Sequence, residues 1–111
     1  VEALSTILEC FVSNAINYSQ PGQEIVFDAS GETTGVVFLV QDSGIGVPRE
    51  EQKRIFERFY RGSNAKAMKP DGTGLGLYIA SMLAEKIGAK VSFESEEGKG
   101  TTFYLRIPRS K

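Results

Sequence analysis

Two pairs of strand-like segments, each joined by a short turn that contains glycine, constrain the fold of this chain more than any other feature. In the first pair, alternating apolar residues from Ile25 lead through a turn at 31–35 into the apolar, β-branched run 36–40. In the second pair, residues 90–107 form a closing hairpin around the turn 97–100. Strands joined by hairpins run antiparallel, so we expect a mixed, mostly antiparallel sheet.

Two amphipathic helices accompany these strands. Their apolar residues recur at steps of three and four, the period of a helix with one buried face. The first helix contains Leu4, Ile7, Leu8, Phe11, Val12, Ala15 and Ile16, and the second contains Leu75, Ile79, Met82, Leu83 and Ile87. Gly88 is placed to cap the second helix, and a short helix is expected from Arg49 to Phe56. Helices packed on one face of the sheet predict a two-layer α/β sandwich.

The composition fits a single globular domain over residues 1–111 and excludes several functions. Hydrophobic residues make up 41% and charged residues 24%, which is enough for one core. The net charge of −1 and the lack of a basic run argue against nucleic acid or an anionic membrane as a partner. Cys10 is the single cysteine, which suits a reducing, cytoplasmic compartment. The chain has no histidine, and therefore lacks the commonest general base and metal ligand.

An acidic residue followed by two glycines ends the first strand pair. Asp42, Gly44 and Gly46 come directly after the run 36–40. A carboxylate at the end of a buried strand can point into a pocket, and glycines let the backbone come close to a ligand. Because an ionised carboxylate only accepts hydrogen bonds, it suits the exocyclic amine of adenine and disfavours the keto oxygen of guanine. A glycine-rich turn with a solvated aspartate is an equally good interpretation of this motif alone.

Glycines also precede the second long helix. In the stretch 72–77 they free backbone N–H groups at a helix N-terminus, where phosphate oxygens bind. The spacing does not fit the dinucleotide fingerprint, because Leu77 replaces its last glycine, and the lysine of a P-loop is missing. A flexible entry to the helix is the alternative interpretation. The polar stretch 61–74 is predicted to be a long loop, of a length that is usually functional or disordered.

A polar face borders the apolar stripe of the first helix. Cys10, Asn14 and Asn17 share this face at steps of four and three, with Tyr18 beside them. The amide oxygen of Asn14 can be one of the few protein ligands of a magnesium ion that keeps phosphate and water oxygens. An amide that caps backbone near a helix end is the more common role of such a residue.

Aromatic and basic residues alternate just before the predicted loop. Arg58 or Arg61 can meet phosphate from this position, while Phe56 and Phe59 pack into the core if the segment is helical. We expect both, because aromatic side chains that anchor a moving loop are also core residues.

These features, in this order, resemble the ATP-binding catalytic domain of bacterial sensor histidine kinases, within the superfamily of DNA gyrase, the Hsp90 chaperones and MutL. The resemblance covers essentially the whole chain. The characteristic segments of the family are matched by 13–19 (the N box), 42–46 (the first glycine box), 56–61 (the F box), 72–77 (the second glycine box) and 98–103 (the closing segment). The resemblance implies a Bergerat-type ATP-binding fold, with helices on one face of the sheet and a mobile ATP lid.

The resemblance also implies roles for individual residues. Asn14 is expected to bind the magnesium ion that bridges the phosphates, and Asp42 to accept a hydrogen bond from the adenine amine. Thr101 or Thr102 is expected to support the adenine contact. The full set of residues expected at the nucleotide is Asn14, Tyr18, Asp42, Gly44, Gly46, Arg58, Arg61, Gly72, Thr73, Gly74, Leu75, Gly76, Leu77, Thr101 and Thr102.

Two positions depart from the family pattern. Cys10 stands where the family commonly has asparagine, and Asn17 where it commonly has lysine or arginine. Loss of that cation would weaken the phosphate contact by about 1–3 kcal/mol, unless Arg61, Lys66 or Lys69 compensates. The ATP-hydrolysing members carry glutamate at position 10 as a general base for water. Cys10 therefore favours phosphoryl transfer to a protein histidine over hydrolysis.

The resemblance implies a histidine kinase domain of a two-component system whose acceptor histidine lies elsewhere, since this chain has none. The expected partners are a His-containing dimerisation domain of the same parent protein and the receiver domain of a response regulator. The domain itself is expected in the cytoplasm without direct membrane contact, whether or not its parent is anchored in a membrane. A non-catalytic docking module and an ATP-hydrolysing machine of the same superfamily are the alternatives.

Overall fold

The computed structural model describes residues 2–19, 22–57, 60 and 76–108. Its elements follow the predicted order of helix, two strands, short helix, helix and two strands. In chain order they are α1 (Glu2–Tyr18), β1 (Val26–Glu32), β2 (Gly35–Asp42), a 3₁₀ helix (Arg49–Arg54), α2 (Gly76–Lys86), β3 (Lys90–Glu96) and β4 (Gly100–Pro108). Among these helices, none is long and apolar enough to cross a bilayer.

The four strands form one sheet in the order β1-β2-β4-β3, and each neighbouring pair is antiparallel. Both predicted hairpins are therefore confirmed. The connection through the 3₁₀ helix and α2 carries the chain to the far edge of the sheet, so that β4 returns between β2 and β3. This order places the end of β2 beside the start of β4, where Asp42 pairs with Thr101.

Both long helices pack on one face of the sheet, which confirms the two-layer α/β sandwich. α1 lies against β2, α2 lies against β3, and the two helices contact each other. At the centre of the core, the ring of Phe103 stacks on Phe11 with 5.0 Å between centroids and meets the edge of Phe56 at 6.3 Å. The other large side chains that are fully buried are Ile7, Val40 and Leu105.

The expectation of a half-buried strand from Ile25 is wrong in the structure. Every residue of β1 is exposed, and Phe27 is 52% exposed although its ring lies 6.3 Å from that of Phe38. The reason is the place of β1 at the edge of the sheet, beyond the strand that α1 contacts. Alternation in a sequence shows that a strand has two faces, but the helical layer decides whether either face is covered.

α2 packs Leu83 of its predicted apolar face against the core, but its most deeply buried residues are small ones. Ala80 and Ala84 are its buried residues, whereas Met82 is 48% exposed. Both alanines belong to the buried cluster that α1 also lines, and small side chains there let the two helices approach closely. The predicted C-terminal cap is confirmed, because Gly88 has a φ of +76° and the Ala89 N–H donates to the Ala84 carbonyl at 2.8 Å.

Candidate functional site

A buried carboxylate lies where β2 ends beside the start of β4. Asp42 is 6% exposed, and its Oδ1 accepts hydrogen bonds from the backbone N–H groups of Gly44 at 2.8 Å and Thr101 at 3.3 Å. Burial raises the pKa of Asp42, because removal from water disfavours the charged form, and the two backbone hydrogen bonds oppose that rise. Within the described residues both hydrogen bonds go to Oδ1, which leaves Oδ2 for a donor on a ligand.

The loop after Asp42 is packed so closely that its glycines have no room for a side chain. A Cβ at Gly44 would overlap the carbonyl oxygen of Tyr18, and a Cβ at Gly46 would overlap the carbonyl oxygen of Glu96. Hydrogen bonds follow the same path. The Ile45 N–H donates to the Tyr18 carbonyl at 3.2 Å, and the Ile45 carbonyl accepts from the β3–β4 turn at 2.8 Å. The loop backbone is therefore held between the end of α1 and that turn.

Two side chains that the sequence analysis did not single out hold the same loop. The hydroxyl of Ser95 accepts from the Val47 N–H at 2.8 Å and lies 2.8 Å from the hydroxyl of Thr101. The side-chain amide of Gln52 donates to the carbonyl oxygens of Val47 and Ser95, each at 3.1 Å. The sequence carries a signal for Ser95, a polar residue in phase with the inward Phe93, but none for Gln52.

The two threonines that the resemblance pairs with the adenine contact lie on different faces of the sheet. Thr101 is 6% exposed, and its N–H reaches the carboxylate of Asp42. Thr102 pairs with Gln41 and faces the opposite side, because neighbouring residues in a strand alternate. Thr101 is therefore the threonine beside the carboxylate.

α1 ends at this loop and carries the polar face of Cys10, Asn14 and Asn17. Asn14 lies one helical turn before Tyr18, about 6 Å along the axis. Asn14 is half-buried, and in the described part of the chain its side chain has no hydrogen-bond partner. Asn17 donates to the hydroxyl of Ser13 at 3.5 Å. Cys10 is also half-buried, and burial, followed by the nearby charge of a glutamate, raises the pKa of the Cys10 thiol.

The start of the F-box segment is anchored in the core. The ring of Phe56 meets those of Phe93 at 5.8 Å and Phe103 at 6.3 Å, both edge to face. Tyr60 packs against the same core and lies under the guanidinium of Arg54, 4.5 Å from the ring centroid. The expectation that this segment supplies core aromatics is confirmed for Phe56.

Much of the expected phosphate-binding region lies outside the described residues. The two described residues of the second glycine box open α2, where Gly76 is exposed and Leu77 packs against the core. The expected residues that fall outside are Arg58, Phe59, Arg61, Lys66, Lys69, Gly72, Thr73, Gly74 and Leu75, together with the expected lid over 61–74. Their roles stay predictions.

The sequence matches a protein family along its whole length. The family is that of the histidine kinase-, DNA gyrase B-, and HSP90-like ATPase, and the match covers residues 1–111. Among curated proteins, the chain is 33% identical over 109 residues to the sensor protein SrrB of Staphylococcus aureus. The aligned part is 98% of this chain but 19% of SrrB, so the chain spans a small part of that relative.

Solved structures with the same fold agree with this match. The mycobacterial sensor histidine kinase MprB superposes with a TM-score of 0.85 at 27% identity, over 96% of this chain and 72% of that one. The catalytic domain of the histidine kinase ThkA superposes with a TM-score of 0.80 at 28% identity, over 99% of this chain and 69% of that one. Full-length ShkA, solved in complex with AMPPNP, superposes with a TM-score of 0.76 at 32% identity, over 98% of this chain and 22% of that one.

Proposed function

Because this chain belongs to the family of histidine kinase-, DNA gyrase B- and HSP90-like ATPases, we propose that it binds ATP with magnesium and donates the γ-phosphoryl group to a histidine on another domain. The relatives support a kinase rather than another branch of the family, since SrrB is a sensor protein and MprB and ThkA are histidine kinases. The AMPPNP in the complex of ShkA supports an adenine nucleotide as the ligand here.

The buried carboxylate of Asp42 is the observation that carries the adenine assignment. Backbone N–H groups hold Oδ1, so the carboxylate has a defined direction and Oδ2 remains an acceptor. An acceptor at this place pairs with the exocyclic amine of adenine, whereas the keto oxygen of guanine would face it with a second acceptor. Gly44 and Gly46 let the loop pack directly against the backbone of Tyr18 and Glu96, which fixes the loop beside the carboxylate.

Asn14 fits a magnesium ion that is held mainly by phosphates. The described residues contain no cluster of three acidic, cysteine or histidine side chains that could hold a metal by itself. Magnesium in nucleotide sites commonly keeps water and phosphate oxygens and takes only one or two protein ligands. The half-buried amide of Asn14, without a partner in the described residues, can supply one of them. When bound there, the ion neutralises phosphate charge.

The residues near Asn14 favour transfer over hydrolysis. Cys10 occupies the turn before Asn14, and its raised pKa keeps the thiol protonated, so it cannot activate water. Glu9 is exposed and lies about 100° away around the helix. Phosphoryl transfer depends chiefly on positioning and charge neutralisation, and a neutral imidazole is itself a nucleophile. The acceptor belongs to another domain, because this chain has no histidine.

The adenine assignment is tested by calorimetric titration with ADP and GDP, each with magnesium. We expect ADP to bind more tightly than GDP. In Asp42→Asn an amide N–H₂ group replaces one carboxylate oxygen, and the charge is lost. A hydrogen bond to a charged acceptor is worth about 1.5–3 kcal/mol, so the affinity for ADP should fall roughly 10- to 150-fold. Asp28→Asn is the matched control, since Asp28 is exposed and bonds only its neighbour Ala29 in the described residues. A folded wild-type chain that binds no ADP would contradict the proposal.

Transfer is tested by adding the His-bearing hairpin of the parent protein together with labelled ATP and magnesium. The expected result is label on that hairpin that is lost on mild acid treatment and is reduced with Asp42→Asn at ATP concentrations below the dissociation constant of the variant. Transfer of the label from the hairpin to a receiver domain would then identify the response-regulator partner. If the chain binds ATP but never labels the hairpin, it is a nucleotide-binding docking module and the transferase proposal is wrong.

A further inference from the structure

Asp42 distinguishes purines only if its carboxylate keeps one direction. Guanine carries N–H donors on the same edge as its keto oxygen, so a carboxylate that can turn is able to pair with guanine as well. The direction of Asp42 is set by the N–H groups of Gly44, in the loop, and Thr101, in β4. Any movement of the loop relative to β4 would therefore release the carboxylate.

Ser95 connects these two parts of the structure directly. Its hydroxyl accepts from the Val47 N–H at 2.8 Å, lies 3.0 Å from the Gly100 carbonyl that it can donate to, and lies 2.8 Å from the Thr101 hydroxyl. One donated and two accepted hydrogen bonds use the full capacity of a hydroxyl group. A single side chain thus holds the loop at Val47 and the first residues of β4, including the residue whose N–H bonds Asp42.

Gln52 holds the same loop residue from the other side. Its two amide hydrogens go to the carbonyl oxygens of Val47 and Ser95, each at 3.1 Å. Both backbone polar groups of Val47 are therefore bonded by side chains, where a strand would have used a neighbouring backbone. Among the described residues, these two side chains bond the loop at this point in the way that a neighbouring strand would.

We propose that Ser95 and Gln52 form a clamp that positions Asp42 and thereby determines the preference for adenine over guanine. The clamp rests on the proposed nucleotide-binding function and adds to it two residues that determine specificity without touching the base. Loss of the clamp should weaken ADP and at the same time permit GDP, whereas a general loss of stability would weaken both nucleotides alike.

The test compares the affinity ratio of ADP to GDP in the wild type, Ser95→Ala and Gln52→Ala. We expect the ratio to fall by about tenfold or more in both variants, and Ser95→Thr, which keeps the hydroxyl, to restore it. Ser92→Ala and Lys53→Ala are matched controls, since both residues are exposed and neighbour the clamp in sequence. An unchanged ratio in a folded Ser95→Ala variant overturns the clamp, while ADP selectivity in the wild type upholds the proposed function.

A second measurement does not need a nucleotide. The pKa of Asp42 is measured from the NMR chemical shift of its side-chain carboxyl carbon as a function of pH. The wild type is compared with Gln52→Ala, or with Ser95→Ala if that variant folds. Burial raises the pKa of Asp42 and the two backbone hydrogen bonds lower it, so release of the carboxylate from those N–H groups changes the pKa. The same pKa in the wild type and in the clamp variants overturns the proposal. If the pKa differs between them but the wild type binds no ADP, only the proposed function is contradicted.

Discussion

A methyl group at position 100 would press on the backbone beside Asp42. Gly100 opens β4 with a φ of +120°, where residues other than glycine are strained. A Cβ there would overlap the Asp42 carbonyl oxygen and lie 2.8 Å from the Cα of Ser43, against 3.4 Å for ordinary contact. These neighbours are backbone atoms, so relief requires the ends of β2 and β4 to separate. The hydrogen bond from Thr101 to Asp42, already 3.3 Å long, would then be lost.

The expected cost of Gly100→Ala follows from these contacts. Backbone strain contributes about 1–3 kcal/mol, and overpacking against a fixed backbone about 1–3 kcal/mol. Gly98→Ala is the control, because Gly98 lies in the same turn with a φ of +83° but has no atom within 4 Å of the place that its methyl group would take. The control has only the strain, so Gly100→Ala should be less stable than Gly98→Ala by about 1–3 kcal/mol, or roughly 4–12 °C in Tm.

Thermal unfolding followed by circular dichroism measures this difference, and calorimetry with ADP measures its consequence for the site. Gly100→Ala should unfold at the lower temperature and bind ADP more weakly at a temperature where both variants are folded. Equal unfolding temperatures for the two variants would show that β4 does not approach Asp42 as closely in solution as the structure has it. The steric argument would then fail, whatever the effect on ADP.

Three further predictions concern stability. Phe103→Ala should cost about 3–5 kcal/mol in urea unfolding, because Phe103 is 1% exposed and stacks on Phe11; a cost below about 1 kcal/mol would contradict its central place in the core. Because burial raises the pKa of Asp42 above its ordinary value of 3.8, the free energy of unfolding should fall as pH rises from 3.8 through the raised pKa. Urea unfolding across that pH window should show this fall in the free energy of unfolding for the wild type, and Asp42→Asn should lack the contribution of Asp42 to it. Equal slopes of free energy against pH in the two proteins would refute the burial argument. Glu32→Gln should cost less than about 1 kcal/mol, because its ion pair with Arg106 is largely solvated, with side chains 41% and 54% exposed; a larger loss would contradict this assignment.

The local elements of this protein are readable from its sequence because each depends on neighbours in the chain. The period of α1, the alternation in β4 and the glycines of both hairpins each encode a conformation within a few residues. The cap at Gly88 is of the same kind. Asp42 was predicted as a candidate site residue, but the motif alone fitted a solvated turn equally well, and only the resemblance to a family favoured the site.

Burial was predicted less well, since it depends on what another element covers. β1 has the alternation of a half-buried strand but lies at the sheet edge, beyond the strand that α1 contacts. α2 has several long apolar residues, yet Ala80 and Ala84 face the core where the helices approach each other. Periodicity identifies a face of an element, but the packing of layers selects which face is buried.

The sequence by itself therefore determined the elements, their order and the carboxylate that the proposed site is built on. Only the tertiary structure decided how that carboxylate is held. The hydrogen bond from Thr101 to Asp42 spans 59 residues, and the bonds of Ser95 and Gln52 to Val47 join a loop, a helix and a hairpin. Such contacts arise from the strand order β1-β2-β4-β3, which brings distant segments together. No local pattern of residues records them, because the free energy that maintains them comes from packing across the whole domain.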